Sequence, residues 1–183
     1  ISVTGVQTCA LPISIHMIVV QVRPDLSFEV IDREKAMVRL GAGGLGGRAL
    51  TREASDAALL ALARFKRLAD SHGVEVILAA ATSATREARN SGDFLRRVER
   101  DTGIRARVIS GPEEARLIYL AACYGVNIGR GRAVVVDIGG GSVEIVAGTA
   151  HAPHLSRSFK LGSIRLTEQL VASDPVTPRE ERK

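Results

Sequence analysis

Val134-Val135-Val136-Asp137-Ile138-Gly139-Gly140-Gly141-Ser142-Val143-Glu144-Ile145-Val146 is the stretch whose reading decides the fold. β-Branched residues lead into Asp137, and Val143, Glu144 and Ile145 alternate after Ser142, so the glycines join two strands rather than a strand and a helix. A Walker loop or a dinucleotide fingerprint needs glycines that open a helix whose N-terminus holds the phosphate, and Val-Glu-Ile-Val is a poor helix start. A hairpin grip is left. Glycine has no side chain to block close approach, so the N–H groups of Gly139, Gly140, Gly141 and Ser142 can turn toward one anion, with the carboxylates of Asp137 and Glu144 on either side. An ordinary glycine hairpin with an aspartate at a strand end fits the same letters.

Composition narrows the setting. At 183 residues and 45% hydrophobic side chains, the chain can bury one good core, or one core and part of a second. Its 25 Lys and Arg against 20 Asp and Glu leave +5, spread along helices rather than run together, which suits an anionic ligand. Four Phe, two Tyr and no Trp give a base-stacking platform little to work with, so no nucleic-acid partner is expected. Cys9 and Cys123 lack the paired spacing of a disulfide framework or a zinc site, and a cytoplasmic location is expected. No apolar run approaches the roughly eighteen residues of a membrane span, so no membrane partner is expected either.

Residues 1–14 carry no charge and no initiating methionine. The string resembles translated sequencing-adaptor read-through and is set aside as a non-native tail; a short natural strand turning at Pro12 is the alternative. From Met17 the pattern predicts three strands, 17–22, 27–31 and 35–40, with Pro24-Asp25 marking the first turn. After the glycine-rich loop 41–47, Thr51 caps a long helix whose apolar face includes Ala58, Leu62, Phe65 and Ala69 and which ends at Gly73. A buried strand (74–81), a helix (91–101) stopped by Gly103, a strand at 107–109 and a helix opened by Pro112 follow. After residues 127–131 the pattern restarts with strand, glycine hairpin, strand, a further strand at 154–159 and a helix at about 163–171. The expected domains are 15–128 and the opening part of a second, 129–183.

Gly41 to Gly46 satisfies G-x-G-x-x-G, but the helix begins too late to receive a pyrophosphate and no strand-end acid follows about twenty residues on. Two other groups carry chemistry. Glu113 and Glu114 open a helix directly after a strand, where ligand-facing groups gather in an α/β sheet, although the helix dipole alone favours acids there. Arg86, in Thr82-Ser83-Ala84-Thr85-Arg86-Glu87, has the fork to hold a phosphate and equally suits a solvated ion pair with Glu87 or Glu113.

Taken together, His16-Met17, Val38-Arg39-Leu40-Gly41, Ala84-Thr85-Arg86, Ile109-Ser110-Gly111-x-Glu113-Glu114-Ala115-Arg116 and Asp137 through Glu144 resemble the exopolyphosphatase and guanosine pentaphosphate phosphohydrolase family, in its order and spacing. The resemblance implies an α/β fold of the actin and acetate-kinase superfamily, with two ribonuclease-H-like domains that each present a hairpin phosphate loop. It implies Glu114 as the catalytic glutamate, Arg86 as a substrate-phosphate arginine, Gly139, Gly140, Gly141 and Ser142 as the second phosphate loop, and Asp137 and Glu144 as the acids associated with Mg2+. The implied substrate is inorganic polyphosphate or guanosine pentaphosphate, and a homodimer is one option for the full-length protein. A kinase of the same superfamily and a binding sensor without turnover are the competing readings.

One departure concerns the first loop. The family form is Asp-hydrophobic-Gly-Ser-Asn-Ser before Phe-His-Met, and here Leu11-Pro12-Ile13-Ser14-Ile15 precedes His16-Met17. The first domain is therefore expected to lack its first strand and phosphate loop, and the chain is expected to be an inactive fragment.

Overall fold

The computed structural model describes residues 14–42, 49–126, 128, 131–173 and 177, together with the backbone of 3–11. The chain forms two compact units, Ile1–Val108 and Ile109–Lys183.

The first unit is built on a five-stranded sheet of order β3-β2-β1-β4-β5. Its strands are β1 (Val3–Leu11), β2 (Ser14–Val22), β3 (Phe28–Met37), β4 (Val76–Ala81) and β5 (Ala106–Val108). The first three form an antiparallel meander, while β4 and β5 add in parallel, as crossovers through helices require. The segment set aside as a tail thus supplies the backbone of the central strand. It pairs with β2 from Val3↔Val22 to Leu11↔Ser14 and with β4 from Gly5↔Val76 to Cys9↔Ala80. The expectation of a missing first strand is corrected on this point, because an uncharged stretch with one proline, at its end, satisfies a sheet's backbone groups whatever its origin. The altered first loop rests on Pro12 and Ile13, which lie outside the described residues.

A second correction concerns β3, one strand where the sequence reading had two. The run Asp32-Arg33-Glu34-Lys35 looks like a break, but on an edge strand alternate charges serve both faces. Asp32 meets His72, which caps the C-terminus of α1 (Arg52–Ser71), at 3.0 Å, Glu34 meets Arg64 of α1 at 2.6 Å, and a register shift between Val19 and Val20 absorbs the extra residue. Thr51 caps α1, its hydroxyl accepting from the Ala54 N–H at 3.1 Å. Ala58, Leu62, Phe65 and Ala69 are buried as their spacing predicts, packed with Ile15, Met17 and Val19 of β2 and with Phe94 and Val98 of α3 (Ser91–Thr102). Gly103 ends α3 in the left-handed conformation that favours glycine. Between β4 and α3, residues 83–87 form the short helix α2 (Ser83–Glu87).

The second unit pairs α4 (Gly111–Gly125) with an antiparallel meander of β6 (Arg132–Ile138), β7 (Val143–Thr149) and β8 (Pro153–Phe159), followed by α5 (Ser163–Leu170). The sequence reading closed the first domain after this helix, at residue 128. Instead α4 groups with the second sheet, since Ala115 and Tyr119 are buried against Val146, and the Tyr119 hydroxyl donates to the Thr149 carbonyl at 2.9 Å. The topological repeat holds with a shifted origin: β6-β7-β8 repeats β1-β2-β3, so the first meander starts at Val3 rather than Met17.

Candidate active site

Three of the four residue groups singled out from sequence fall in the second unit. Asp137 and Glu144 are directly opposite each other in the β6–β7 register, one pair back from Ile138↔Val143, and the glycine loop closes the same hairpin. Directly opposed residues in an antiparallel pair have Cβ atoms about 5 Å apart, and like charges there repel. Glu144 is 1% exposed and accepts a hydrogen bond from the Ser158 hydroxyl at 2.8 Å. Asp137 is half-buried, and burial raises its pKa above the ordinary carboxylate value. No Lys, Arg or His ion pair reaches either acid among the described residues. Two acids so placed lack a counter-charge, and hard oxygen donors of this kind suit a divalent cation such as Mg2+. No group of three or more His, Cys, Asp or Glu side chains with metal-holding geometry occurs among the described residues. A cation here would draw its remaining ligands from water and bound oxyanions, as Mg2+ commonly does.

The loop itself is held from one side. The Gly139 N–H donates to the Ser142 carbonyl at 2.9 Å, which closes the turn around Gly140 and Gly141. Its carbonyls are taken by the start of α5: Gly139 accepts from the Ser163 N–H at 2.9 Å, Gly140 from the Arg165 N–H at 3.1 Å, and Gly141 from Arg165 Nε at 2.9 Å. Those carbonyls belong to the same peptide units as the N–H groups of Gly140, Gly141 and Ser142. A planar trans peptide points its C=O and N–H in opposite directions, so three successive N–H groups are turned away from α5. Among the described residues none of the three has a hydrogen-bond acceptor, which is the arrangement of an anion nest.

Glu114 lies on α4, whose N-terminus is anchored to β8 at the level of Glu144. A Cβ on Gly111 would stand 2.9 Å from the Ser158 Cβ, and Ser158 is the register partner of Glu144. The two glutamates are separated by their surroundings. Ser110 caps the helix, its hydroxyl accepting from the Glu113 N–H at 3.2 Å, so Glu113 occupies the third position of a capping motif. Glu114, one residue on, is 6% exposed, and Ala115 after it is fully buried. Arg86 belongs to the first unit, half-buried in α2 just after β4, where Thr82, Ser83 and Thr85 are buried.

Sequence reasoning missed Gly162, Ser163, Arg165 and Ser158. An arginine at a helical position flanked by Ile164 and Leu166, directly after a Gly-Ser helix start, was the available signal.

Residues 18–183 match the model of the Ppx/GppA phosphatase family. Exopolyphosphatase 1 of Mycobacterium leprae (strain TN) is 35% identical over 162 residues, 88% of this chain and 48% of that protein. The Mycobacterium bovis protein of the same name is 33% identical, with 88% and 47% covered. The chain therefore spans about half the length of the curated relatives it matches. Among solved structures, an exopolyphosphatase from Cytophaga hutchinsonii superposes with a TM-score of 0.91 at 28% identity, over 100% of this chain and 57% of the other. The Aquifex aeolicus PPX-GPPA enzyme gives 0.81 at 30% identity, over 100% and 60%. The protein of a type IV pilus PilM–PilN complex, at 14% identity and a TM-score of 0.59, shares the fold alone.

Proposed function

The chain belongs to the Ppx/GppA phosphatase family, and from that premise we propose that the whole protein hydrolyses the terminal phosphoanhydride bond of inorganic polyphosphate or guanosine pentaphosphate, releasing orthophosphate. The observation that carries the proposal is the loop Gly139–Ser142, where three peptide N–H groups face one way beside the opposed acids Asp137 and Glu144. In this reading the N–H groups of Gly140, Gly141 and Ser142 donate to oxygens of the terminal phosphoryl group, stabilising the charge that develops as the bridging P–O bond breaks. Glu114, 6% exposed, accepts a proton from the attacking water. Arg86 is assigned to a substrate phosphate through its Ala84-Thr85-Arg86 motif. Asp137 and Glu144 would hold Mg2+, which supplies positive charge against the phosphoryl oxygens. Ser158 fixes the Glu144 carboxylate from behind. The reaction takes place in the cytoplasm in this reading and needs neither nucleic acid nor membrane; no helix among the described residues is long and apolar enough to cross one.

Phosphate release by the whole protein, with a first loop of the family form, tests the metal assignment. Release should stop when a chelator removes divalent ions and return with excess Mg2+. Undiminished release in chelator would remove the metal role from Asp137 and Glu144.

A further inference from the structure

The loop's shape is imposed by a segment that begins about twenty residues downstream. Gly162 lies so close to the loop that a Cβ there would stand 2.2 Å from the Gly140 carbonyl carbon and 2.3 Å from the Gly141 nitrogen, distances no side chain tolerates. Ser163 and Arg165 then occupy the carbonyls of Gly139, Gly140 and Gly141 in succession. Arg165 is 5% exposed, and its Nε–H makes the third of these bonds. Burying a guanidinium is costly, and an apolar residue would fill the same space more cheaply. What the apolar residue could not do is hold the Gly141 carbonyl, and with it the direction of the Ser142 N–H in the same peptide unit.

We propose that Arg165 is a positioning residue for phosphate binding: by bonding the Gly141 carbonyl it holds the Gly141–Ser142 peptide with its N–H toward the anion, and Gly162 provides the close approach that makes this bond possible. The inference rests on the reading of Gly139–Ser142 as a phosphate loop. Arg165 acts through the backbone and does not touch the substrate. Without the bond the peptide is free to rotate, and the nest loses a preorganised donor.

The test uses the 183-residue chain, with tripolyphosphate and Mg2+ as the probe. Affinity is measured by calorimetry, loop geometry by the amide resonances of Gly140, Gly141 and Ser142, and folding by thermal melting. The wild type should bind, with all three amides shifting together. Arg165→Lys keeps the charge but lacks the planar Nε–H. It should stay folded and weaken binding by about tenfold, the loss expected for one charge-assisted hydrogen bond, with the Ser142 amide displaced before ligand is added. A folded Arg165→Lys protein with wild-type affinity and an unmoved Ser142 amide overturns this inference alone. If wild-type protein does not bind, the phosphate-loop reading falls and the inference with it. Should Arg165→Lys fail to fold, the wild type still decides. Its Arg165 Nε–H must stay protected from exchange and unshifted as tripolyphosphate saturates the loop amides, and an Nε–H that exchanges freely or shifts with the ligand overturns the positioning role.

Discussion

About a hundred degrees of helix separates Glu113 from Glu114, and that rotation assigns them different work. Glu113 sits in the cap with Ser110, while Glu114 is turned inward. Ser110→Ala should therefore lower the stability of the second unit by about 1 kcal/mol, the usual value of a lost N-cap, as read by denaturant titration. Glu113→Gln should change turnover of the whole protein by less than about threefold, since a capping position reaches the chemistry only through the helix. His16 offers a separate residue-scale test in the first unit. Burial, and secondarily Lys35, lowers its pKa below the ordinary value near 6.5. Between that lowered value and about 6.5 the unfolded chain takes up a proton that the folded chain refuses, so stability must fall as pH drops through this window. Thermal melts from about pH 7.5 to 5 should show that fall and should lose part of it in His16→Gln. Identical slopes for the two proteins would show that His16 titrates normally.

At the scale of elements, the connection from β8 to α5 is the most constrained backbone in the second unit. Gly162→Ala places a methyl group against backbone atoms that have no side chain to move aside, and should cost about 2 kcal/mol or more. A melting temperature equal to wild type would mean that this close approach is not held in solution. Much of this level was legible in advance. The caps at Thr51 and Gly103, the buried stripe of α1 and the hairpin around Gly139–Ser142 are all local, and local chemistry specifies them. What escaped reading was non-local. The charged run 32–35 is a strand because α1 supplies partners for Asp32 and Glu34, and Val3–Leu11 is a strand because β2 and β4 both offer it backbone groups. Arg165 looked like an ordinary helical arginine, since its partner at Gly141 is 24 residues away in sequence.

On the scale of the whole molecule, the face of the second sheet away from α4 is open and mostly apolar, interrupted by the exposed Arg157. Val134, Val136 and Ile138 of β6 are exposed, Ile138 by 70%, with Leu155 and Phe159 of β8 on the same side. Strand alternation puts Val146 on the opposite side, fully buried under α4. Exposed apolar area of this kind drives association, so sedimentation of the 183-residue chain should show concentration-dependent oligomers. Val136→Lys combined with Ile138→Lys should suppress them with little change in melting temperature; unchanged association would locate the sticky surface elsewhere. The 183-residue chain itself should release no measurable orthophosphate. Leu11-Pro12-Ile13-Ser14 stands where the family form has Asp-hydrophobic-Gly-Ser-Asn-Ser, and losing even one well-placed transition-state donor costs about a hundredfold. In the proposed function, Glu114 activates water against a phosphoryl group held by the Gly139–Ser142 loop. Orthophosphate release from inorganic polyphosphate by the whole protein, run beside Glu114→Gln, tests it most directly. The expected result is Mg2+-dependent release that falls by about a hundredfold or more in the variant while polyphosphate still binds. Release by Glu114→Gln at the wild-type rate would contradict it.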